Sequence, residues 1–253
     1  MLKSLKLILY YLGYQLGLTA VAMVVSKFVY MDLITMTSLV MVVSTLAMSW
    51  HLLHHGYVTL RRDNYKALTP PVLCVSVVFV FSAMYVLNLL IEQTGLPNTM
   101  EETFLAMSRN PLGILSITLL GPVLEELLFR GAIQGDLQRQ MSPWKAIIVS
   151  SLLFGVVHMN PAQIPFAFLL GMLFGWLYYR TGSLLPGIVG HVLNNSVATV
   201  NMYLHGDATI EEQMSSDLVM WLWALVALVA FVMAALWLNR LLPSTPAEKS
   251  EAA

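Results

Sequence analysis

The chain has 253 residues, of which 58% are hydrophobic and 11% charged, with a formal net charge of −1. A soluble domain carries about 25% charged residues, so the composition points to a polytopic membrane protein and, lacking a basic excess, away from nucleic acid. The single cysteine, Cys74, excludes an intramolecular disulfide, a CxxC redox motif and a thiolate zinc knuckle; inside an apolar run, it is expected to be a buried structural thiol.

A helix needs roughly 20 apolar residues to cross a bilayer core. The basic start (Lys3, Lys6) leads into Leu7–Ser26. This is read as a first span and not a cleaved signal, because the apolar run continues past the loose Ala20-Val21-Ala22 cleavage pattern and no soluble domain follows. Leu33–Trp50 and Leu68–Ile91 come next. His51, His54 and His55 share a face at the end of the second of these. They read as the polar, interfacial end of a helix in preference to a metal site. Leu112–Ile133 qualifies only by tolerating Glu125, Glu126 and Arg130. Ala146–His158 and Pro161–Tyr179 are joined so tightly, at Met159-Asn160, that they are expected to form a hairpin stopping short of the far surface. Gly171-x3-Gly175 in the second arm predicts close approach of a neighbouring helix. Leu184–Leu204 and Leu218–Asn239 complete the series.

The expected fold is all-α: a polytopic membrane helical bundle of about eight transmembrane helices. Residues 1–242 form a single integral membrane domain with a catalytic core at about 112–204, and residues 243–253 a disordered cytoplasmic tail. With the N-terminus in the cytoplasm, alternation puts Lys3, Lys6, Arg61, Arg62, Lys66, Arg139, Lys145, Arg180, Arg240 and Lys249 inside. Only Lys27 and Arg109 lie outside. That asymmetry fits the positive-inside rule and makes both termini cytoplasmic.

Three polar clusters fall in the fourth, fifth and seventh spans: Glu125-Glu126-x3-Arg130, Phe154-x3-His158 and His191-x3-Asn195. A four-residue interval puts both side chains on one helix face. Polar groups in a bilayer seek each other or a water-filled cavity, so the economical arrangement is one site where the three faces meet. The set has no nucleophilic cysteine, and no GxSxG elbow is present. Carboxylates, two imidazoles and an amide suit water activation. A carboxylate accepts the proton and a histidine fixes the water, while a second histidine and an asparagine can donate to an oxyanion. The residue types point to hydrolysis of an acyl bond, most naturally a peptide.

In this order, the motifs resemble those of the CPBP family of intramembrane proteases (CAAX proteases and Abi-type, bacteriocin-processing enzymes), whose pattern is EExxxR, FxxxH, HxxxN. The resemblance covers residues 121–195, with every motif position filled. It implies an intramembrane endopeptidase in which Glu125 activates water and His158 binds that water. His191 and Asn195 would stabilise the tetrahedral intermediate. Glu126 and Arg130 would hold Glu125 and balance its charge, Phe154 would wall the site, and Asn194 is an alternative to Asn195. Glu125, His158 and His191 also make a His2Glu set of a known catalytic zinc type, and the family has been labelled metalloprotease. The HExxH spacing is absent, and the metal-free reading is preferred, with no cofactor. The implied partners are a peptide or protein substrate, lipidated or membrane-embedded, and the lipid bilayer; nucleic acid is not among them. A bacterial plasma membrane is preferred to an endoplasmic reticulum, with the site opening towards the cytoplasmic half.

Two other readings stay open. A non-proteolytic immunity or scaffold protein could keep the motif for packing; Glu125→Ala would then leave function intact. A proton-coupled transporter would need polar residues along a whole path, and the first three spans carry none that are charged. Depth is the difficulty for a shared site. At ~1.5 Å per residue, His158 lies roughly 20 Å from the cytoplasmic end of its helix and His191 about 10 Å from the end of its own.

Overall fold

The computed structural model describes residues 2–58, 68–206 and 208–242. The tail at 243–253 and the basic residues Arg61, Arg62 and Lys66 lie outside the described residues. The regular structure is helical: α1 (Leu2–Val25), α2 (Leu33–His54), α3 (Pro70–Glu92), α4 (Glu101–Met107), α5 (Pro111–Leu137), α6 (Pro143–Val156), α7 (Gln163–Thr181), α8 (Leu185–His205), α9 (Ile210–Gln213) and α10 (Asp217–Leu241).

The starts follow local chemistry. Asp32 accepts from the Thr35 N–H at 2.9 Å and caps α2; that bond holds its carboxyl below the usual carboxylate range. Asn110 accepts from Leu112 and Gly113 at 3.0 and 3.1 Å ahead of Pro111, so the first orphan donors of α5 are satisfied and proline sits where its missing N–H costs nothing. Gly182, at φ 67°, ends α7 in the left-handed conformation.

Five helices, α1, α2, α3, α5 and α10, are long and apolar enough to cross a membrane. This is fewer than the eight expected. α6 has 14 residues, while α7 and α8 have the length but not the apolarity. The reason lies in their sequence: α8 carries His191, Asn194 and Asn195, and α7 ends in Tyr178-Tyr179-Arg180.

α5 is the hub. Of its most apolar stretch 44% is buried, against 6% for α1 and 17% for α10. It packs on α1, α2, α6 and α8, while α3 packs on α7, α8 and α10. One apolar core joins Leu7, Met48 and Leu52 to Leu124, Leu128 and Ile133 of α5. A second joins Val72, Phe79 and Val80 to Phe174, Leu177 and Leu238. The outer face of α10 exposes Trp221, Trp223 and Trp237 near its two ends, as interfacial aromatics do.

One expectation needs correction. Cys74 is exposed. α3 is apolar around its whole circumference, so periodicity could not separate its inward face from its lipid-facing one. The α6–α7 hairpin is held by a neighbouring loop. At its tip Asn160 donates to Asn98 at 2.7 Å and accepts from the Thr99 N–H at 3.2 Å, so it meets the loop that follows α3.

The α4–α5 corner is closed by Gly113, where an added Cβ would lie 2.4 Å from the Met107 carbonyl oxygen. Backbone cannot yield as a side-chain tip can. Gly113→Ala is therefore expected to cost about 1–3 kcal/mol, read as a lower unfolding midpoint of the detergent-solubilised protein.

Candidate active site

The site is built on a distorted helix. Within α5, Ser116–Leu120 and Glu126–Gln134 are π-helical, the wider i→i+5 turn that recurs at functional sites. Pro122 accounts for the first of these. Having no N–H, it can give nothing to a carbonyl in the preceding turn. The Gly121 N–H bonds back to the Ser116 carbonyl, which leaves the Ile117 carbonyl without its α-helical partner. Asn195 of α8 supplies the missing donor, its Nδ2 lying 2.8 Å from that oxygen. Asn194 in turn donates to the Asn195 Oδ1 at 2.8 Å. In the resting structure Asn195 thus mends the helix, and its amide makes no second donated bond among the described residues.

Beyond Pro122, Glu126, Arg130 and Gln134 recur every fourth residue along a buried stripe of α5, each at most 1% exposed. Such charges are expensive away from water unless paired. The Arg130 Nη1 lies 3.1 Å from the Glu126 Oε1. The guanidinium is sandwiched by aromatic rings, 4.3 Å from the Phe154 centroid and 5.4 Å from that of Phe174. Gln134 donates to the Gly175 carbonyl at 2.9 Å. Glycines let the facing helices come this close: an added Cβ would lie 3.0 Å from Arg130 at Gly171, 2.8 Å from Gln134 at Gly175 and 2.9 Å from Glu126 at Gly187. The close approach predicted from Gly171-x3-Gly175 is therefore present, and it serves the polar stripe as well as α6.

His191 joins the two acids. Its Nδ1 is 3.0 Å from the Glu126 Oε1 and its Nε2 is 3.5 Å from the Glu125 Oε2. Phe174 stacks on the imidazole at 5.1 Å, and Phe154 meets it edge-on at 5.8 Å. Glu125 retains 22% side-chain exposure whereas Glu126 has 1%, so only the first faces an opening. His158 packs against another edge of Phe154 at 4.9 Å. Its Nδ1 lies 2.8 Å from the Phe154 carbonyl oxygen, which can only accept; the N–H is therefore on Nδ1, and Nε2 is left as an acceptor.

The structure thus brings Glu125, Glu126, Arg130 and His191 into direct contact. His158 is held against Phe154 by ring packing and by its bond to the Phe154 carbonyl, and Asn195 is engaged with Ile117. Among the described residues no three His, Cys, Asp or Glu side chains are grouped to hold a metal ion, so Glu125, His158 and His191 do not form a ready-made zinc set. The His51 group is instead a ring cluster: His51 packs against Tyr10 at 5.0 Å, His55 at 4.5 Å and Tyr57 at 5.9 Å. Gln134 and Phe174 had no place in the sequence reading. Gln134 was visible in principle as the next step of the four-residue rhythm from Glu126 and Arg130. Phe174, one apolar residue among many in α7, left no signal.

Residues 108–197 match the family of the type II CAAX prenyl endopeptidase Rce1-like proteins. The match covers less than half of this chain. The matched segment runs from the start of α5 into α8 and contains Glu125, Glu126, Arg130, Gln134, His158, His191 and Asn195. Two curated relatives are similar over comparable stretches. "Putative membrane peptidase YdiL" of Bacillus subtilis (strain 168) is 32% identical over 108 residues, 43% of this chain and 44% of that protein. "Membrane-embedded CAAX protease MroQ" of Staphylococcus aureus (strain USA300) is 32% identical over 118 residues, 44% of this chain and 47% of that protein. The chain thus spans less than half the length of the curated relatives it matches. No solved structure matches it.

A small change tests the glycine contact. In Gly187→Ala the new methyl would press on the Glu126 carboxylate, the movable end of a side chain. Folding should be nearly unaffected, while the shift away from His191 should lower turnover about 10-fold. Unfolding midpoint and kcat, measured on the same preparation, check this.

Proposed function

We propose that this chain is an intramembrane endopeptidase that hydrolyses peptide bonds with a water activated by Glu125. The contact of Glu125 with His191, itself anchored on Glu126 and Arg130, carries this reading. Both imidazole nitrogens of His191 face carboxylate oxygens, Nδ1 that of Glu126 and Nε2 that of Glu125, so an N–H on either nitrogen has an acceptor waiting.

His158 holds the attacking water on its Nε2, and Glu125 takes a proton as the oxygen attacks the scissile carbonyl. Once Glu125 is neutral, the Nε2–H of His191 is released to donate to the oxyanion, joined by the second N–H of Asn195. Glu125 then passes its proton to the leaving amine, and the carbon–nitrogen bond breaks. Glu126 and Arg130 keep His191 in place throughout. Metal is not required by this scheme.

In this reading α6, α7 and α8 join the five long apolar helices as membrane-inserted segments, eight in all. Both termini are cytoplasmic, and the membrane is a bacterial plasma membrane. The substrate is a hydrophobic or lipidated peptide segment, in keeping with the family's description and the relatives' names. The test is cleavage of a library of prenylated and hydrophobic peptides by purified wild type, Glu125→Gln and His158→Ala, with and without a chelator. Equal cleavage by all three proteins would overturn the assignment. Loss on chelation restored by zinc would replace the metal-free scheme by a metal-assisted one.

A further inference from the structure

His158 stands beyond the end of α6, where helical geometry no longer fixes it. Its N–H and that of Met159 close a short turn onto the Gly155 and Val156 carbonyls at 3.2 and 3.1 Å. The chain must then reverse to enter α7. Pro161 bars the α conformation to Asn160 before it, so the reversal falls on Met159. That residue takes φ 50°, the one non-glycine residue with positive φ among the described residues, and it is 75% exposed. A methionine gains nothing from this conformation, which L side chains disfavour. Something outside the turn holds it there.

Asn160 does so. It is fully buried, and every polar group of its side chain and carbonyl has a partner. Nδ2 donates to the Asn98 Oδ1 at 2.7 Å, and Oδ1 accepts from the Thr99 N–H at 3.2 Å. Its carbonyl accepts from Gln163 and Ile164, both at 3.0 Å, at the start of α7. One residue further on, the Ala162 N–H donates to the Pro97 carbonyl at 3.3 Å. The 97–99 loop and the beginning of α7 thus grip a residue two positions from His158.

We propose that Asn160, clasped by the Asn98–Thr99 loop, is the positioning residue that keeps the strained Met159 turn closed and so sets His158 for water binding. This rests on the proposed role of His158. The clasp fixes where the chain leaves α6, and the Phe154 carbonyl fixes how the ring is turned. Together they direct the free Nε2.

The experiment uses the full chain in detergent, with the best-cleaved peptide of the library above as probe. Asn160→Ala removes both side-chain bonds, and a misplacement near 1 Å is expected to lower kcat on the order of 10²-fold with KM little changed. Asn160→Asp keeps an acceptor for Thr99 and, with the Asn98 amide turned over, accepts from it; this variant should stay within about 3-fold of wild type. Adding Met159→Gly to Asn160→Ala removes the cost of positive φ and should recover most of the lost kcat. Wild-type kcat in folded Asn160→Ala, or equal loss in the alanine and aspartate variants, would overturn the proposal. So would a double variant no better than Asn160→Ala alone. Should Asn160→Ala fail to fold, the aspartate variant in an Asn98→Ala background, where no amide can turn to meet it, must lose kcat while Asn160→Asp alone keeps it. Failure of the parent reading looks different: Glu125→Gln and His158→Ala would themselves cleave normally.

Discussion

Glu125→Gln is expected to lower kcat on the order of 10³-fold, within the range that a positioned general base contributes, and to leave folding and KM nearly unchanged. Glutamine matches the shape of glutamate but has no lone pair basic enough to take a proton from water. Its structural cost is small because Glu125 is the exposed member of the acid pair, and its one short polar contact among the described residues is the 3.5 Å approach to His191. Single-turnover cleavage with the unfolding midpoint on the same sample separates chemistry from folding. A variant within 10-fold of wild type would remove Glu125 from the reaction.

The largest effect on stability belongs to Arg130→Ala. The guanidinium and the Glu126 carboxylate are each about 1% exposed, and the Glu126 Oε2 has no hydrogen-bond partner. Deleting the arginine strands a carboxylate between Gly187 and His191 and empties the gap between Phe154 and Phe174. Breaking one side of such a pair typically costs 3–5 kcal/mol, a large part of the roughly 5–15 kcal/mol that holds a protein folded. Arg130→Lys should rescue poorly, since a compact ammonium cannot lie flat against two rings. Replacing both partners together, as Glu126→Leu with Arg130→Met, should restore much of the stability but not cleavage, because His191 would have lost its anchor. Unfolding midpoints and cleavage rates of these variants check the split.

Much of the site was legible because bilayer physics makes charge conspicuous. Glu125, Glu126 and Arg130 interrupt an apolar run, and the four-residue spacing of the third motif marked the face of α8 that meets them, whereas His158 lies past the end of α6 and on no helix face. Direct contact between Glu125 and His191, on different helices far apart in the chain, follows from that reasoning. What stayed hidden has one physical root: in lipid, both the inward and the outward face of a helix are apolar. Cys74 could therefore be placed on a helix but not on a side of it, and Phe174 was indistinguishable from a lipid-facing residue. Length and apolarity alone mark five of the eight expected spans, for the converse reason. α7 and α8 carry polar groups that neighbouring helices satisfy, and their sequences look less apolar than a span that meets lipid all round. Asn195 was read as a site residue by its register with His191. Its bond to Ile117 could be foreseen only by asking which carbonyl Pro122 leaves unserved.

That bond couples two distant positions. Proline at 122 and a hydrogen-bond donor at 195 form a lock and its key. A descendant that loses the asparagine must either regain an ordinary residue at 122 or leave a peptide oxygen bare in the interior. Substitution at these two sites should accordingly come in pairs, and one arising singly should be tolerated on the proline side and punished on the other.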